Sequence, residues 1–218
     1  MTDAHCHVTG GDPSVREFLI GRDFIGVHPW EAGNCLDCSI VRLRELLVAD
    51  SRLGVGEIGL DRLKEREISP RMREMFEVQL RLALEFGRPV VLHGAKCWGQ
   101  VVRTVNSIIR TFEHSIIPSF LFHGFSRSGG LIPDIVALNG FISVGPAVLN
   151  DHAVNYRELV KRIPAERLLV ETDRTVENAA DCSSVREVAA AVAELRGVSV
   201  AELERLTDEN AERFLNLV

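Results

Sequence analysis

Residues able to bind metal or move protons recur along this 218-residue chain at the ends of short apolar runs. His5 and His7 stand two apart in MTDAHCHVTG. His28 sits in GVHPW, Glu57 in GVGEIGLD, His93 in PVVLHG, His123 in LFHGF and Asp173 in LLVETD. Side chains two apart on a strand face the same way, so His5 and His7 can reach one ion from one side while Cys6 turns away. Imidazoles and carboxylates gathered in one cavity must be hydrated, protonated or coordinated. That donor mix suits Zn, Mn, Fe or Ni, and Mg also stays open. A carboxylate such as Glu57 can bridge two ions. Two ions ~3.5–4 Å apart can activate a water and clamp the oxygens of a phosphodiester or similar group. A lone His-x-His, or a lone acidic residue ending a strand, more often has an ordinary hydrogen-bonding or helix-capping role. The metal reading rests on the combination.

Such residues converge only if the elements carrying them share a direction. Strands are expected over 2–8, 23–27, 52–58, 89–93, 119–123, 141–145 and 168–172. Helical patterns fall between them, over 40–48, 70–87, 100–112, 131–138, 156–163 and 185–195, with two short helices over 200–217. The clearest is 70–87, where Met72, Met75, Phe76, Val78, Leu80, Leu82 and Leu84 build a wide apolar face and Gly87 marks the stop. Strand alternating with helix predicts a parallel α/β sheet, and the apolar stretches PVVL and RLLV suit strands buried on both faces. A single domain spanning 1–218 is expected. The segment 9–22 is too short for a helix, a strand and another helix. The choice lies between a TIM-like (β/α) barrel, shortened or distorted with about seven strands, and an open doubly wound sheet. In a barrel, all strand C-termini open on one face and would collect these groups in one bowl.

The same residues carry a family resemblance. DAHCH (3–7), GVHPW (26–30), GEIGLD (56–61), RPVVLH (88–93), FHGFS (122–126), ETD (171–173) and LTDENAERFLNL (206–217) resemble, in this order and spacing, the TatD family of metal-dependent hydrolases, within the amidohydrolase superfamily. The resemblance implies a barrel with a two-metal site. His5 and His7 would hold the first ion, His93 and His123 the second, and Glu57 would bridge them. Asp173 would be a ligand and general base, and Asp3 would stand behind the ligands, holding a histidine or the backbone in place. It also implies a deoxyribonuclease. The chain departs from the family pattern in its length, in ETDRTVEN after the last strand and in GAKCWGQ after His93. The last two changes fall where substrate should sit.

Other groups surround this set. Lys96, Arg127 and Arg174 follow strands that carry site residues, and either meet phosphate oxygens or are solvated loop charges. His28 is expected at the rim, with a phosphate-binding role open to it. Trp30 and Trp98 are offered either to a base or to packing. Cys35-x-x-Cys38 lacks the second pair that a tetrahedral zinc site needs. The five cysteines are scattered, and no leader or apolar span is visible, so a cytoplasmic protein without a membrane is expected. The formal net charge of −6 argues against a general pull on nucleic acid. Two ions, offset by Glu57 and Asp173, would still leave the bowl at about +2. The expected function is phosphodiester cleavage by a metal-activated water, acting on DNA ends or small phosphoesters, in a monomer. Hydrolysis of an amide, ester or lactone is the alternative, and a non-catalytic metal-binding protein the second.

Overall fold

The computed structural model describes residues 1–34, 37–64, 66–112, 117–126 and 129–215. Among these residues there are eight parallel strands: β1 (Thr2–Cys6), β2 (Arg16–Leu19), β3 (Phe24–Ile25), β4 (Gly54–Asp61), β5 (Val90–Ala95), β6 (Phe120–Phe122), β7 (Gly140–Val144) and β8 (Leu168–Val170). β3 to β8 form one sheet in sequential order, and β1 pairs with β2. Two seams close the ring. An Ile20–Phe24 bridge joins β2 to β3. On the other side, Asp173 N donates to His5 O at 3.0 Å, and His7 N donates to Arg174 O at 2.8 Å, joining β1 to the chain beyond β8. The fold is a distorted TIM-like barrel.

The shortening falls on the helices. The strand expected to be missing is β2, whose sequence REFL is too charged and short to stand out. No helix lies between β1 and β2 or between β2 and β3. Glu17 of β2 takes over the first connection: its carboxylate accepts from Thr9 Oγ1 at 2.6 Å and from Gly10 N at 2.5 Å. The count is therefore eight strands, not about seven.

Among the described residues there are seven α-helices: α1 (Asp37–Ala49), α2 (Pro70–Glu85), α3 (Trp98–Arg110), α4 (Ile132–Ala137), α5 (Val154–Arg162), α6 (Val185–Arg196) and α7 (Val200–Phe214). Ser69 caps α2 by accepting from Met72 N, and Pro70 supplies the fixed φ of its first turn. A reciprocal Ser184–Glu187 box starts α6. The tail is one helix rather than two. Thr207, which breaks its apolar pattern, turns its hydroxyl back onto Leu203 O at 3.0 Å and stays within the helix.

Strand parity layers the barrel interior. Val91, Leu121, Phe141 and Leu169 belong to a buried apolar cluster, and two residues further along the same strands come His93, His123, Ser143 and Glu171. The same face is thus apolar near the strand N-termini and polar near the C-termini. Phe214 of α7 closes the apolar end, with its ring centroid 6.2 Å from Phe18, 5.7 Å from Phe24 and 5.9 Å from Phe141. It is fully buried. Phe214→Ala is expected to cost about 3–5 kcal/mol, read as a lowered denaturant midpoint with an unchanged slope. A loss under about 1 kcal/mol would mean that the plug carries little of the fold.

Candidate metal centre

β4 delivers Glu57 into the middle of the bowl. The β4–β5 register shifts between Val55 and Ile58, at this residue. Just beyond it, Gly59 has φ +150°, and a Cβ there would stand 2.0 Å from His93 O, so only glycine lets β5 come this close. The two oxygens of Glu57 face different histidine sets. Oε2 lies 3.6 Å from His5 Nε2 and 3.4 Å from His7 Nε2. Oε1 lies 2.6 Å from His93 Nδ1, 2.5 Å from His123 Nε2 and 3.6 Å from His28 Nε2. Asp173 Oδ1 joins the first set, 3.4 Å from His5 Nε2 and 3.7 Å from His7 Nε2. The structure thus gathers every histidine expected in the bowl, with Glu57 between them. His28 was expected at the rim, yet it stands within the Glu57–His93 group.

Burial alone would raise the Glu57 carboxyl. The charge on His123 and hydrogen bonds from His123, His28 and His7 outweigh it and hold the group well below the usual range. His123 responds in kind: burial pulls it down, but Glu57 and Glu171 carry it well above an ordinary imidazole. Both ring nitrogens of His5, and Nδ1 of His123, are buried without a hydrogen-bond partner. A buried imidazole nitrogen without a partner, aimed at two carboxylates, fits a cation better than it fits a proton. Three sets of ligand atoms lie close enough to share an ion: His5, Glu57 and His123; His5, His7 and Asp173; and His28, Glu57 and His93. Metal uptake must displace protons from His7, His93 and His123, which the neighbouring carboxylates raise.

Behind these groups stand carboxylates that the residue types alone did not single out. Asp61, fully buried at the end of β4, lies 2.8 Å from His93 Nε2. With that proton given to Asp61, His93 presents its Nδ1 lone pair to the bowl. Burial raises Asp61, but the bonds from His93 and the backbone of Lys64 prevail and hold it far below the usual range. Glu171 accepts from Gly124 N at 2.7 Å and from the Ser143 hydroxyl, and stands 3.8 Å from His123 Nδ1. Period two could have exposed both, because Asp61 follows Glu57 by four residues and Glu171 precedes Asp173 by two. Gln79, buried on α2, accepts from Val27 N at 2.6 Å and donates to Val27 O at 3.1 Å, fixing the segment that carries His28.

Asp3 lies behind the histidines. Its carboxylate accepts from Thr172 Oγ1 at 2.6 Å, from Thr172 N at 3.0 Å and from His5 N at 3.4 Å. It joins β1 to the chain end that holds Asp173, and burial pushes its carboxyl up to about 7. Arg174 is turned to the following loop, donating to Ala179 O and Cys182 O. Lys96 is exposed, in a left-handed backbone (φ 56°), on the wall of a cleft of about 590 Å³ that also reaches His93, His123 and Asp173. Trp98 packs on Phe122 and Phe125 in the core. Trp30 is half exposed and stands edge-on to His28. Arg127 and Cys35 lie outside the described residues.

A parallel barrel with an imidazole–carboxylate bowl at its C-terminal mouth is the architecture of a metal-dependent hydrolase. The chain belongs to the TatD related DNase family, whose profile matches residues 21–216. It is 28% identical to the uncharacterized metal-dependent hydrolase YabD of Bacillus subtilis over 88% of this chain and 76% of that protein. It is 26% identical to the 3'-5' ssDNA/RNA exonuclease TatD of Pectobacterium atrosepticum, over 88% of this chain and 76% of that one. The crystal structure of YJJV, a TatD homolog from Escherichia coli, superposes with a TM-score of 0.81 at 22% identity, covering 99% of this chain and 97% of that one. No helix among the described residues is long and apolar enough to cross a membrane.

Asp61→Ala is expected to weaken divalent-cation binding by ~10–100-fold, because His93 loses the partner that sets its tautomer. Calorimetric titration of the purified protein reads this directly. Unchanged affinity would show that His93 needs no such partner.

Proposed function

We propose that this chain is a phosphodiesterase acting on nucleic-acid ends, with two divalent ions held on either side of Glu57. The observation that carries the reading is the division of the histidines between the two oxygens of one buried carboxylate. His5, His7, Asp173 and Glu57 would hold one ion, and His93, His123, His28 and Glu57 the other. When bound, such ions acidify a water and offset the charge that develops on phosphoryl oxygens. Asp173 would take the water's proton in this reading. Its side chain is half exposed and reaches the cleft, whereas Glu57 is locked among histidines. Its carboxyl is raised by burial, but the close approach of His5 and the charge on His123 bring it below the usual range, ionised and able to accept. Asp3 and Thr172 hold its backbone in register with His5. Lys96 reaches the same cleft and can meet a phosphate as a point charge. The names of the exonuclease relatives favour a nucleic acid over other phosphodiesters.

A metal-reconstituted panel of single-stranded DNA, RNA, p-nitrophenyl phosphodiester and N-acyl substrates tests this reading. Nucleotide release is expected, falling by ~10²–10⁴-fold in Asp173→Asn as expected for loss of a general base. Turnover of the acyl compounds alone would sink the phosphodiesterase reading. Tight metal binding without turnover of any substrate would point to a non-catalytic metal protein. Metal at ~100 times its dissociation constant is also expected to add about 2.7 kcal/mol to folding stability, reversed by chelation and visible as a rise in Tm.

A further inference from the structure

The charge of the bowl bears on how an anionic substrate is held. Two divalent ions are about cancelled once Asp61 and Glu171 are counted with Glu57 and Asp173, and the chain as a whole is acidic at −6. Phosphate groups beyond the scissile one therefore gain little from the centre. Positive charge lies just outside it, in a groove of about 350 Å³ between the outer faces of α2 and α3. Arg73, Arg81 and Arg103 line this groove and are exposed. None of the three pairs with a carboxylate among the described residues, whereas Arg44 is matched to Glu85 and Arg52 to Asp50. Glu77 lies in the same groove and offsets one of the three charges.

The groove meets the cleft at one point. Gly99 lines the cleft, and Arg103 Nη1 stands 3.4 Å from where its Cβ would be. Lys96 stands on the cleft wall three residues before Gly99. From Arg73 to Arg81 the groove follows eight residues of helix, about 12 Å. That spans about two to three phosphates of an extended single strand, whose phosphates lie farther apart than the axial rise of a duplex.

Resting on the phosphodiesterase reading, we propose that the α2–α3 groove carries the sugar–phosphate backbone of a single-stranded polynucleotide whose end lies in the cleft. The strand leaves past Lys96 and Gly99, meets Arg103, and continues over Arg73 and Arg81. Contacts of this kind are to phosphate, so they give affinity and salt dependence without base preference. The acidic remainder of the surface keeps duplex and bulk nucleic acid away, while the groove holds one strand.

The test compares wild type with Arg73→Ala/Arg81→Ala/Arg103→Ala, full chain and metal-loaded, after matching their melting curves. Substrates are a single-stranded 20-mer, a dinucleotide and p-nitrophenyl phosphodiester. For the 20-mer, KM is expected to rise by about tenfold or more with kcat unchanged, and the slope of log affinity against log salt to shrink by about 2. The two short substrates are expected to keep both constants. Equal KM for the 20-mer in both proteins, or a rise shared by the dinucleotide, would overturn the groove. Anisotropy of a labelled 20-mer with the metal-free proteins separates the two claims. Weaker binding by the triple variant, where the wild type cleaves no phosphodiester, supports the groove and rejects the catalytic reading. Equal binding rejects the groove whatever the activity.

Discussion

The carboxylate of Glu57 is the constraint around which this barrel is built. A charged group buried to 3% exposure is costly unless it is paired and hydrogen-bonded. Here imidazoles meet both of its oxygens, and they come from β1, β5, β6 and the segment after β3. Each of those elements must end at the right height and face inward. The register shift in β4 and the glycine at 59 let β5 approach closely enough for His93 to arrive. The apolar layer below, with Phe214 as its floor, keeps water from entering the barrel from the other end.

Behind the histidines, a second set of polar residues holds each one to the frame. Asp61 fixes His93, Glu171 stands at His123, and Gln79 holds the backbone before His28. Asp3 is different, because it holds two strand ends to each other instead of one ring. It lies at the seam between β1 and β8, which no strand-to-strand ladder closes. Glu17 of β2 acts in the same way, satisfying the backbone of a connection that no helix supports.

Much of this arrangement was legible in the residues, because metal chemistry needs particular side chains and strand parity fixes which way they point. His5, His7, Glu57, His93, His123 and Asp173 stood out for that reason, and the structure brings them together. Asp61 and Glu171 were passed over although strand parity puts them on the same face as Glu57 and Asp173, because their histidine partners are known only from the structure. The strand over 16–19 was hidden too. Four residues with two charges do not look like barrel interior, yet Phe18 alone supplies the buried contact the strand needs. The tail was read as two short helices, whereas it is one, with the Thr207 hydroxyl on its buried face bonded back to Leu203.

Losing two helices shortens the barrel on the side of β1 and β2, away from α2 and α3. The side that keeps its helices is also the side where the cleft opens past Lys96 and Gly99. A shortened barrel can therefore hold the bowl intact, because the bowl depends on strand ends and the polar residues behind them, and the helices outside β1 contribute neither. What it cannot shed is the α2–α3 side, where Gln79 holds the segment carrying His28 and Arg103 reaches the edge of the cleft. The asymmetry of the truncation follows from where the site draws its support.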